Sequence, residues 1–257
     1  MGNEERISIL TYNCHLFGES YLCRMLGLTH KDVLRCETII QKIKALDPDI
    51  VCLQEIWFSK IYKMFVSQFK DSHNIYRPPG FSGLLFISKY AIVSTYFKRY
   101  NVSAFPDNIM SKGFGLVTIQ KTPNDQLIDV FFTHAQAGNV NISIKNMNQM
   151  KSMIKLSKNP KLIVGDFNLY PPIVKVIFNT LILSGNQFTC CKKNSMFRKY
   201  ECVRGNKDKK LDYVLYDSNL TKMLSLTGDK IKNVIFKDND MDLSDHYPLY
   251  CELVISG

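Results

Sequence analysis

The sequence predicts an α/β fold in which two packed sheets carry helices on their outer faces. Short apolar runs rich in β-branched and aromatic residues recur along all 257 residues, and a few helical segments interrupt them. Neighbouring runs such as 83–89 and 91–97 are close enough to form hairpins, which argues against a strictly alternating βαβ barrel. A chain of this length buries about three quarters of its unfolded surface, so it needs no disulfides to build a core.

The elements follow in order from residue periodicity. Residues 6–12 (RISILTY) read as a strand, and apolar residues at three- and four-residue steps predict a helix over 32–46. The mostly apolar segment 49–55 (DIVCLQE) is typical of a strand that is covered on both faces. Further strands are predicted at 83–89, 91–97, 115–121, 127–134, 161–166, 211–217 and 248–255, and further helices near 143–157 and 172–183.

Composition restricts the compartment and the partners. The net charge of +10, much of it within 192–210, favours polyanions such as nucleic acid, anionic lipid or phosphate-bearing substrates. The eight cysteines form no CxxC pair, and the N-terminus lacks a signal-peptide layout, so we expect an intracellular protein with reduced thiols. No apolar run approaches the roughly 20 residues that span a bilayer, which leaves peripheral membrane attachment as an option, and no obligate protein partner is implied.

Polar residues fall repeatedly at the ends of the predicted strands. Each one has an ordinary explanation, such as a turn or a hydrogen-bonded core histidine, but their shared position is the place where open sheets usually carry chemistry. The set comprises Asn13, Glu55, His134, Asp166, Asn168, Asp212, Asp245 and His246.

Half of this set suits a metal ion and a phosphate group. Glu55 and Asn13 offer oxygen ligands, which a hard ion such as Mg²⁺ prefers. His134 and Asn168 can donate hydrogen bonds to a phosphoryl oxygen as charge develops there. The sequence has no P-loop and no GxSxG motif, which disfavours P-loop nucleotide hydrolysis and serine-esterase chemistry.

The other half suits proton transfer. His246 can accept a proton near neutral pH, and either Asp245 or Asp212 can orient it. Asp166 can orient an attacking water molecule. The set as a whole therefore predicts metal-assisted hydrolysis of a phosphate ester.

The motifs TYN, LQE, TH, GDFN, LDYV and SDH occur in the order found in the endonuclease/exonuclease/phosphatase superfamily, which the chain resembles over nearly its whole length. The resemblance implies one DNase I-like domain over residues 1–257, a four-layer α/β/β/α sandwich. It also implies a divalent metal, usually Mg²⁺ with Mn²⁺ or Co²⁺ as substitutes, on Glu55 with Asn13 beside it. Around the attacked phosphorus it places Asp166, Asn168 and His246, with Asp212, Asp245 and His134 in support.

Three stretches resemble neutral and bacterial sphingomyelinases: 105–119 (FPDNIMSKGFGLVTI), 133–138 (THAQAG) and 244–248 (SDHYP). This resemblance implies hydrolysis of sphingomyelin, or a related choline phospholipid, at a membrane surface. It also implies that Lys112 contacts the phosphodiester and that Asp107 is its ion-pair partner. The alternative is a Mg²⁺-dependent nuclease of the same fold acting on DNA or RNA, and the prolines after GDFN keep a deadenylase in consideration.

Two apolar stretches are candidates for membrane docking. One is the segment 16–28, and the other is the stripe of Trp57, Phe58, Ile61, Tyr62 and Phe65. Core packing explains either of them equally well.

Overall fold

The computed structural model describes residues 6–18, 25, 31–122, 126–185, 187–191, 193–196 and 208–255. The helices are α1 (Asp32–Leu46), α2 (Ser59–Phe69), α3 (Val140–Leu156), α4 (Pro171–Ile177) and α5 (Ser218–Met223). The strands are β1 (Arg6–Leu16), β2 (Ile50–Ile56), β3 (Asn74–Tyr76), β4 (Leu85–Ser88), β5 (Ala91–Arg99), β6 (Gly113–Gln120), β7 (Ile128–His134), β8 (Lys161–Asp166), β9 (Ile182–Leu183), β10 (Asp212–Tyr216), β11 (Leu226–Asn233), β12 (Lys237–Asp238), β13 (Met241–Asp242) and β14 (Leu249–Ile255).

Two six-stranded sheets form the centre of the fold, with strand orders β11-β14-β1-β2-β4-β3 and β5-β6-β7-β8-β10-β9. Each sheet contains one parallel pair, β1 with β2 and β7 with β8. The connection within the first pair carries α1, and the connection within the second carries α3. Because parallel strands end on the same side, each crossover brings two strand ends together at one edge of its sheet.

Apolar side chains fill three layers, which confirms the predicted four-layer sandwich. Ile9 and Phe132 belong to the cluster between the sheets, whereas the next residue, Leu10, and the preceding one, Phe131, face the helices. This alternation follows from the two-residue period of a strand, and it explains why the central strands are apolar on both faces. The helices contribute Ile39, Ile43, Ile61 and Phe65 to one outer layer and Met147, Met150 and Val174 to the other.

The predicted helix over 172–183 is only half right. Helix α4 ends at Ile177, and Phe178 leaves the helical conformation while its side chain stays buried. Leu183 then pairs with Leu215 at the edge of the second sheet. The apolar residues in this segment therefore serve two different elements, although their spacing resembles one helix.

The stripe from Trp57 to Phe65 forms part of α2 and the turn before it. Ile61 and Phe65 are 0% exposed and pack against the first sheet. Core packing therefore accounts for Ile61, Phe65 and the buried Trp57, whereas Phe58 and Tyr62 are half-buried. The other docking candidate, 16–28, lies mostly outside the described residues, as does most of the basic segment 192–210.

Among the helices that the structure describes, none combines the length and the apolar character required to cross a lipid bilayer.

Candidate active site

The sheets bring the predicted polar residues together at one end. Asn13 lies near the end of β1, Glu55 near the end of β2, and His134 and Asp166 end β7 and β8. His134 and Asp166 are register partners in the parallel pair. Asp212 begins the antiparallel strand β10, where it is the register partner of Asp166. The termini of five strands from two different sheets therefore meet at one buried site.

Unusual backbone conformations direct these side chains toward the site. Glu55 and Asn168 adopt positive φ angles of 62° and 50°, which are uncommon for residues other than glycine. Gly165 has φ 138°, and a Cβ atom there would lie 2.1 Å from the carbonyl oxygen of Thr133. Only glycine allows β8 to approach β7 this closely just before Asp166.

Asn13 connects the two sheets through its side chain. Its Nδ2 donates to Glu55 Oε1 at 3.0 Å and to Asp166 Oδ2 at 3.1 Å. Its Oδ1 accepts from the backbone N–H of His15 at 3.2 Å. In this orientation Asn13 shares its amide protons between two carboxylates, so its oxygen would reach a cation only if the amide turned over.

His246 is paired with Asp212 rather than with its chain neighbour. Its Nδ1 lies 2.7 Å from Asp212 Oδ2, and its Nε2 lies 3.9 Å from Asp166 Oδ2. Of the two aspartates that the sequence offered, Asp212 is therefore the one seen in contact with the His246 ring. The carboxylate of Asp245 instead lies 3.5 Å from His15 Nδ1.

His134 contacts both the carboxylates and a buried lysine. Its Nε2 lies 3.6 Å from Asp166 Oδ2, 4.0 Å from Glu55 Oε1 and 3.1 Å from Lys112 Nζ. Lys112 is 5% exposed and pairs with Asp107 Oδ2 at 2.7 Å. The predicted ion pair between Lys112 and Asp107 is therefore present, and it brings a positive charge next to the site.

Asn168 lies at the more open side of the site. Its backbone N–H donates to Asp166 Oδ1 at 2.9 Å, and its Nδ2 donates to the carbonyl oxygen of Ala135 at 3.2 Å. Lys112 Nζ donates to the same carbonyl at 3.2 Å. The loop after β7 therefore fixes Asn168 and Lys112 side by side.

The sequence patterns do not place His15 at the site, and they present Trp57 only as part of an apolar stripe. His15 is buried with φ 50°, and its Nδ1 lies 3.5 Å from Glu55 Oε2. The Trp57 ring lies 6.4 Å from the His134 ring, centroid to centroid. The only signal for either residue is that it follows a predicted site residue by two positions. An open groove of about 570 Å³ beside Trp57 is also lined by Phe58, Tyr62, Arg77 and Phe81.

Buried carboxylate oxygens make the site suitable for a hard divalent cation. Glu55 Oε2 and Asp212 Oδ1 are buried, and within the described part of the chain neither accepts a hydrogen bond of good geometry. Asp166, Asp212 and His246 each offer a ligand atom, and these atoms lie within 4.8 Å of one another. A donor set dominated by oxygen fits Mg²⁺ or Mn²⁺ better than a thiolate-seeking metal.

Burial and close charges shift the pKa values of the site. Burial raises the pKa of the Glu55 carboxyl, but the proximity and charge of His15 and the charges of His134 and Lys112 hold that pKa well below its usual range. Burial and the Asp212 carboxylate raise the pKa of Asp166 to about 7, against the lowering effect of His246. Burial lowers the pKa of His246, yet Asp212 and Asp166 raise it well above its ordinary value.

These shifts give the groups different protonation states. A lowered pKa keeps Glu55 ionised at neutral pH, as a metal ligand must be. A pKa of about 7 lets Asp166 gain or lose a proton near neutral pH. Such pairs of groups with separated pKa values are typical of catalytic sites.

The sequence profile of the Endonuclease/Exonuclease/phosphatase family matches residues 10–246, so the chain belongs to this family. A Drosophila melanogaster protein named "Putative neutral sphingomyelinase" is 24% identical over 226 residues, which represent 80% of this chain and 48% of that protein. The chain therefore spans about half the length of this relative.

Solved structures of several proteins share the fold. Sphingomyelinase C from Streptomyces griseocarneus has a TM-score of 0.79 and 18% identity, covering 97% of this chain and 99% of that one. A mutant of beta toxin from Staphylococcus aureus with bound magnesium ions has a TM-score of 0.77 and 18% identity, covering 96% and 99%. D. rerio TDP2, complexed with a single-strand DNA product, has a TM-score of 0.72 and 13% identity, covering 97% and 99%. The predicted DNase I-like fold is confirmed, and proteins with different substrates share it.

Proposed function

We propose that the chain is a Mg²⁺-dependent phosphodiesterase of the sphingomyelinase type, which hydrolyses sphingomyelin or a related choline phospholipid. With sphingomyelin the products are ceramide and phosphocholine. The observation that carries the proposal is the convergence of three carboxylates and two histidines, from both sheets, at one buried site. Family membership supports phosphoester chemistry, and the sphingomyelinase relatives support the lipid branch.

Glu55, with Asn13 beside it, would hold the metal, and Mn²⁺ or Co²⁺ could replace Mg²⁺. A bound divalent cation supplies positive charge that neutralises the phosphate and the leaving alkoxide. The contribution of the chain itself is a carboxylate whose lowered pKa keeps it ionised at neutral pH.

Asp166 and His246 would activate the attacking water. Asp166, with a pKa of about 7, accepts a proton from the water, while Asp212 fixes the orientation of His246 through Nδ1. The water oxygen forms a bond to phosphorus, and the bond from phosphorus to the ceramide oxygen breaks in line with it. The leaving ceramide oxygen takes a proton from solvent, and Asp166 returns the proton that it accepted to solvent when the products leave.

Asn168, His134 and Lys112 would hold the phosphoryl oxygens. Lys112 is buried, and its ion pair with Asp107 and its hydrogen bond to the Ala135 carbonyl hold the ammonium group beside His134.

The second candidate is a nuclease of the same family. A net charge of +10 favours nucleic acid, and D. rerio TDP2 with its single-strand DNA product shares the fold. This candidate predicts DNA or RNA cleavage that falls steeply as salt is raised, because phosphate contacts release counterions.

The test compares lipid and nucleic-acid substrates in one experiment. Phosphocholine release from sphingomyelin vesicles is measured with Mg²⁺ and with EDTA, beside digestion of plasmid and RNA. His246→Ala is the active-site variant, and His73→Ala, a histidine substitution outside the site, is its control. We expect the wild type and His73→Ala to release phosphocholine with Mg²⁺ but not with EDTA, and His246→Ala to release none. Plasmid and RNA should stay intact throughout. Intact lipid with cleaved plasmid or RNA would establish the nuclease instead.

A further inference from the structure

The loop from Asn101 to Lys112, called the rim loop below, carries three exposed apolar side chains. Phe105 is 77% exposed, Ile109 is 71% exposed and Val102 is 39% exposed. Phe105 is the most exposed aromatic residue in the described chain. Burying a side chain of this size is worth about 1.5–3 kcal/mol, so the fold leaves substantial apolar surface uncovered here.

The rim loop is attached directly to the candidate active site. Asp107, which lies between Phe105 and Ile109, is buried and accepts a hydrogen bond from Lys112 Nζ at 2.7 Å. Lys112 Nζ in turn lies 3.1 Å from His134 Nε2. The two exposed side chains are therefore each two residues away from a carboxylate that contacts the site.

Hydrogen bonds fix the shape of the rim loop from both sides. Asp107 Oδ2 also accepts from the backbone N–H of Ala137 at 2.7 Å. The Ala104 N–H donates to Gln136 Oε1 at 2.8 Å, and Asn146 Nδ2 donates to the Val102 carbonyl at 2.9 Å. A pre-formed loop loses little conformational entropy when it binds, so it is suited to present Phe105 and Ile109 to a partner.

The guanidinium of Arg99 closes the other side of the rim loop. Its Nη2 donates to the carbonyls of Asn108 at 3.1 Å and Met110 at 2.9 Å. These carbonyls flank Ile109, so Arg99 holds the turn that exposes this side chain.

The charge around the rim loop is almost entirely positive. Segments 98–112 and 135–148, which comprise the rim loop and the start of α3, together contain four Lys and Arg residues and one acidic residue, Asp107. That single carboxylate is neutralised by its ion pair with Lys112. Exposed apolar side chains flanked by cations are typical of surfaces that enter the headgroup region of a bilayer.

We propose that the rim loop, with Phe105 and Ile109 as its apolar anchors, docks the chain on a phospholipid bilayer beside the active site. The inference deepens the proposed function, on which it rests, by naming the surface through which the enzyme meets its lipid. A bilayer accounts for Phe105, the aliphatic Ile109 and the positive charge together, whereas a single-stranded nucleic acid would stack a base on Phe105 but leave Ile109 exposed to solvent. The rim loop replaces the buried stripe at Ile61 and Phe65 as the docking surface.

The binding test uses vesicles of phosphatidylcholine, sphingomyelin and phosphatidylserine, with EDTA present so that no lipid is cleaved. The test variant is Phe105→Ala with Ile109→Ala. The control variant is Val93→Ala with Leu156→Ala, which removes side chains that are 53% and 73% exposed. Val93 lies near the start of β5 and Leu156 at the last residue of α3, about 24 Å along that helix from Val140.

The test variant is expected to weaken vesicle binding at least about tenfold, and the control to leave it unchanged. High salt should weaken the wild type only in part, because apolar insertion is not screened. Equal vesicle binding by the wild type and the test variant, with both folded by thermal melting, would overturn the proposal. Binding of wild type to RNA or single-stranded DNA but not to vesicles would also overturn it.

A fluorescent variant provides a second readout. The native chain has one tryptophan, Trp57, which is 2% exposed, so a Phe105→Trp variant adds a reporter in a solvent-exposed position. Its emission should shift to the blue when vesicles are added, whereas that of Tyr96→Trp, at a site 43% exposed on β5, should not. A shift only in Tyr96→Trp would place docking on β5.

The proposed sphingomyelinase activity and the proposed docking surface can be tested separately. Hydrolysis of a water-soluble chromogenic phosphocholine ester does not require docking, so the test variant should keep full activity on it. Vesicle binding through Phe105 without any lipid hydrolysis would retain the docking surface and remove the sphingomyelinase proposal. Lipid hydrolysis at the wild-type rate by the test variant would retain the enzyme and remove the docking surface.

Discussion

Carboxylates have different surroundings at the two ends of the stacked sheets. At the end opposite the site they accept hydrogen bonds that hold neighbouring segments together. Asp49 Oδ2 accepts from the N–H and the hydroxyl of Ser8 at 2.8 and 2.7 Å. Asp129 accepts from Thr118 Oγ1 at 2.8 Å, from Ser157 Oγ at 2.6 Å and from Asn159 at 3.0 Å. Every carboxylate oxygen named here is occupied by a donor from a neighbouring segment, so these groups tie loops to the sheets.

At the site end the carboxylates face one another. Asp166 Oδ2 lies close to two histidines, 3.6 Å from His134 and 3.9 Å from His246, and the Asp212 charge helps to raise the Asp166 pKa to about 7. Asp212 keeps one buried oxygen that no described residue hydrogen-bonds. Like charges at close range weaken a fold, so we attribute this arrangement to the proposed chemistry rather than to stability.

The largest expected effect is on turnover at the site end. Asp166→Asn removes the group that accepts the proton of the attacking water while it keeps the shape of the side chain. We expect turnover to fall about 10²–10⁴-fold, as for other positioned proton-transfer groups. Steady-state phosphocholine release measures this, and a change of less than threefold, about 0.6 kcal/mol, would remove Asp166 from the mechanism.

A smaller loss is expected when the orienting group is changed. Asp212→Asn leaves His246 in place but removes the charge that raises its pKa. Turnover should fall about 10–100-fold, as for groups that orient a functional histidine. The pKa of His246, followed by NMR with EDTA present, should drop towards its ordinary value. An unchanged pKa in this variant would show that Asp212 is only a packing group.

The variant Asp166→Asn should also have a more stable fold than the wild type. The pKa of Asp166, about 7, is above its unfolded value of about 3.9, so the unfolded chain ionises first as the pH rises. This group therefore lowers stability between about pH 4 and pH 7, and the loss persists above that window. With EDTA present, Asp166→Asn should be more stable than wild type by on the order of 1–3 kcal/mol at pH 8, with a smaller difference at pH 5. Denaturant unfolding at both pH values decides the point, and equal or lower stability at pH 8 would contradict it.

The smallest effect on turnover is expected at the opposite end. Asp129→Ala leaves Thr118, Ser157 and Asn159 without their acceptor, which should lower stability by about 1–3 kcal/mol. Turnover per folded molecule should be unchanged, because Asp129 is the second residue of β7 and the site lies at the other end of that strand. A loss of turnover in fully folded Asp129→Ala would mean that the two ends are coupled.

The positions of the site residues could be predicted because apolar runs mark where each strand ends. Asp166 and Asn168 follow the run KLIVG, and both occupy the site. The pairing of His246 with Asp212 rather than Asp245 could not be predicted, because His246 precedes β14 in the first sheet and Asp212 begins β10 in the second. Their contact depends on how the two sheets pack, which local sequence does not determine.

Other features depend on backbone geometry and tertiary packing. His15 reaches Glu55 because its backbone adopts a positive φ, which the sequence TYNCH does not reveal. An apolar stripe such as the one with Ile61 and Phe65 has the same composition whether it faces lipid or the protein core. Its packing against the first sheet, which shows that these two residues face the core, is visible only in the structure. Phe105 shows the reverse case, since an aromatic residue in a short turn gives no periodic signal of its exposure.

The most direct measurement is phosphocholine release from sphingomyelin vesicles in Mg²⁺ by the wild type, Asp166→Asn and Asp129→Ala at equal concentrations of folded protein. We expect release by the wild type and by Asp129→Ala, and a loss of about 10²–10⁴-fold in Asp166→Asn, the variant expected to be more stable. No release by the wild type, or equal release by all three proteins, would contradict the assignment of this site to phosphodiester hydrolysis.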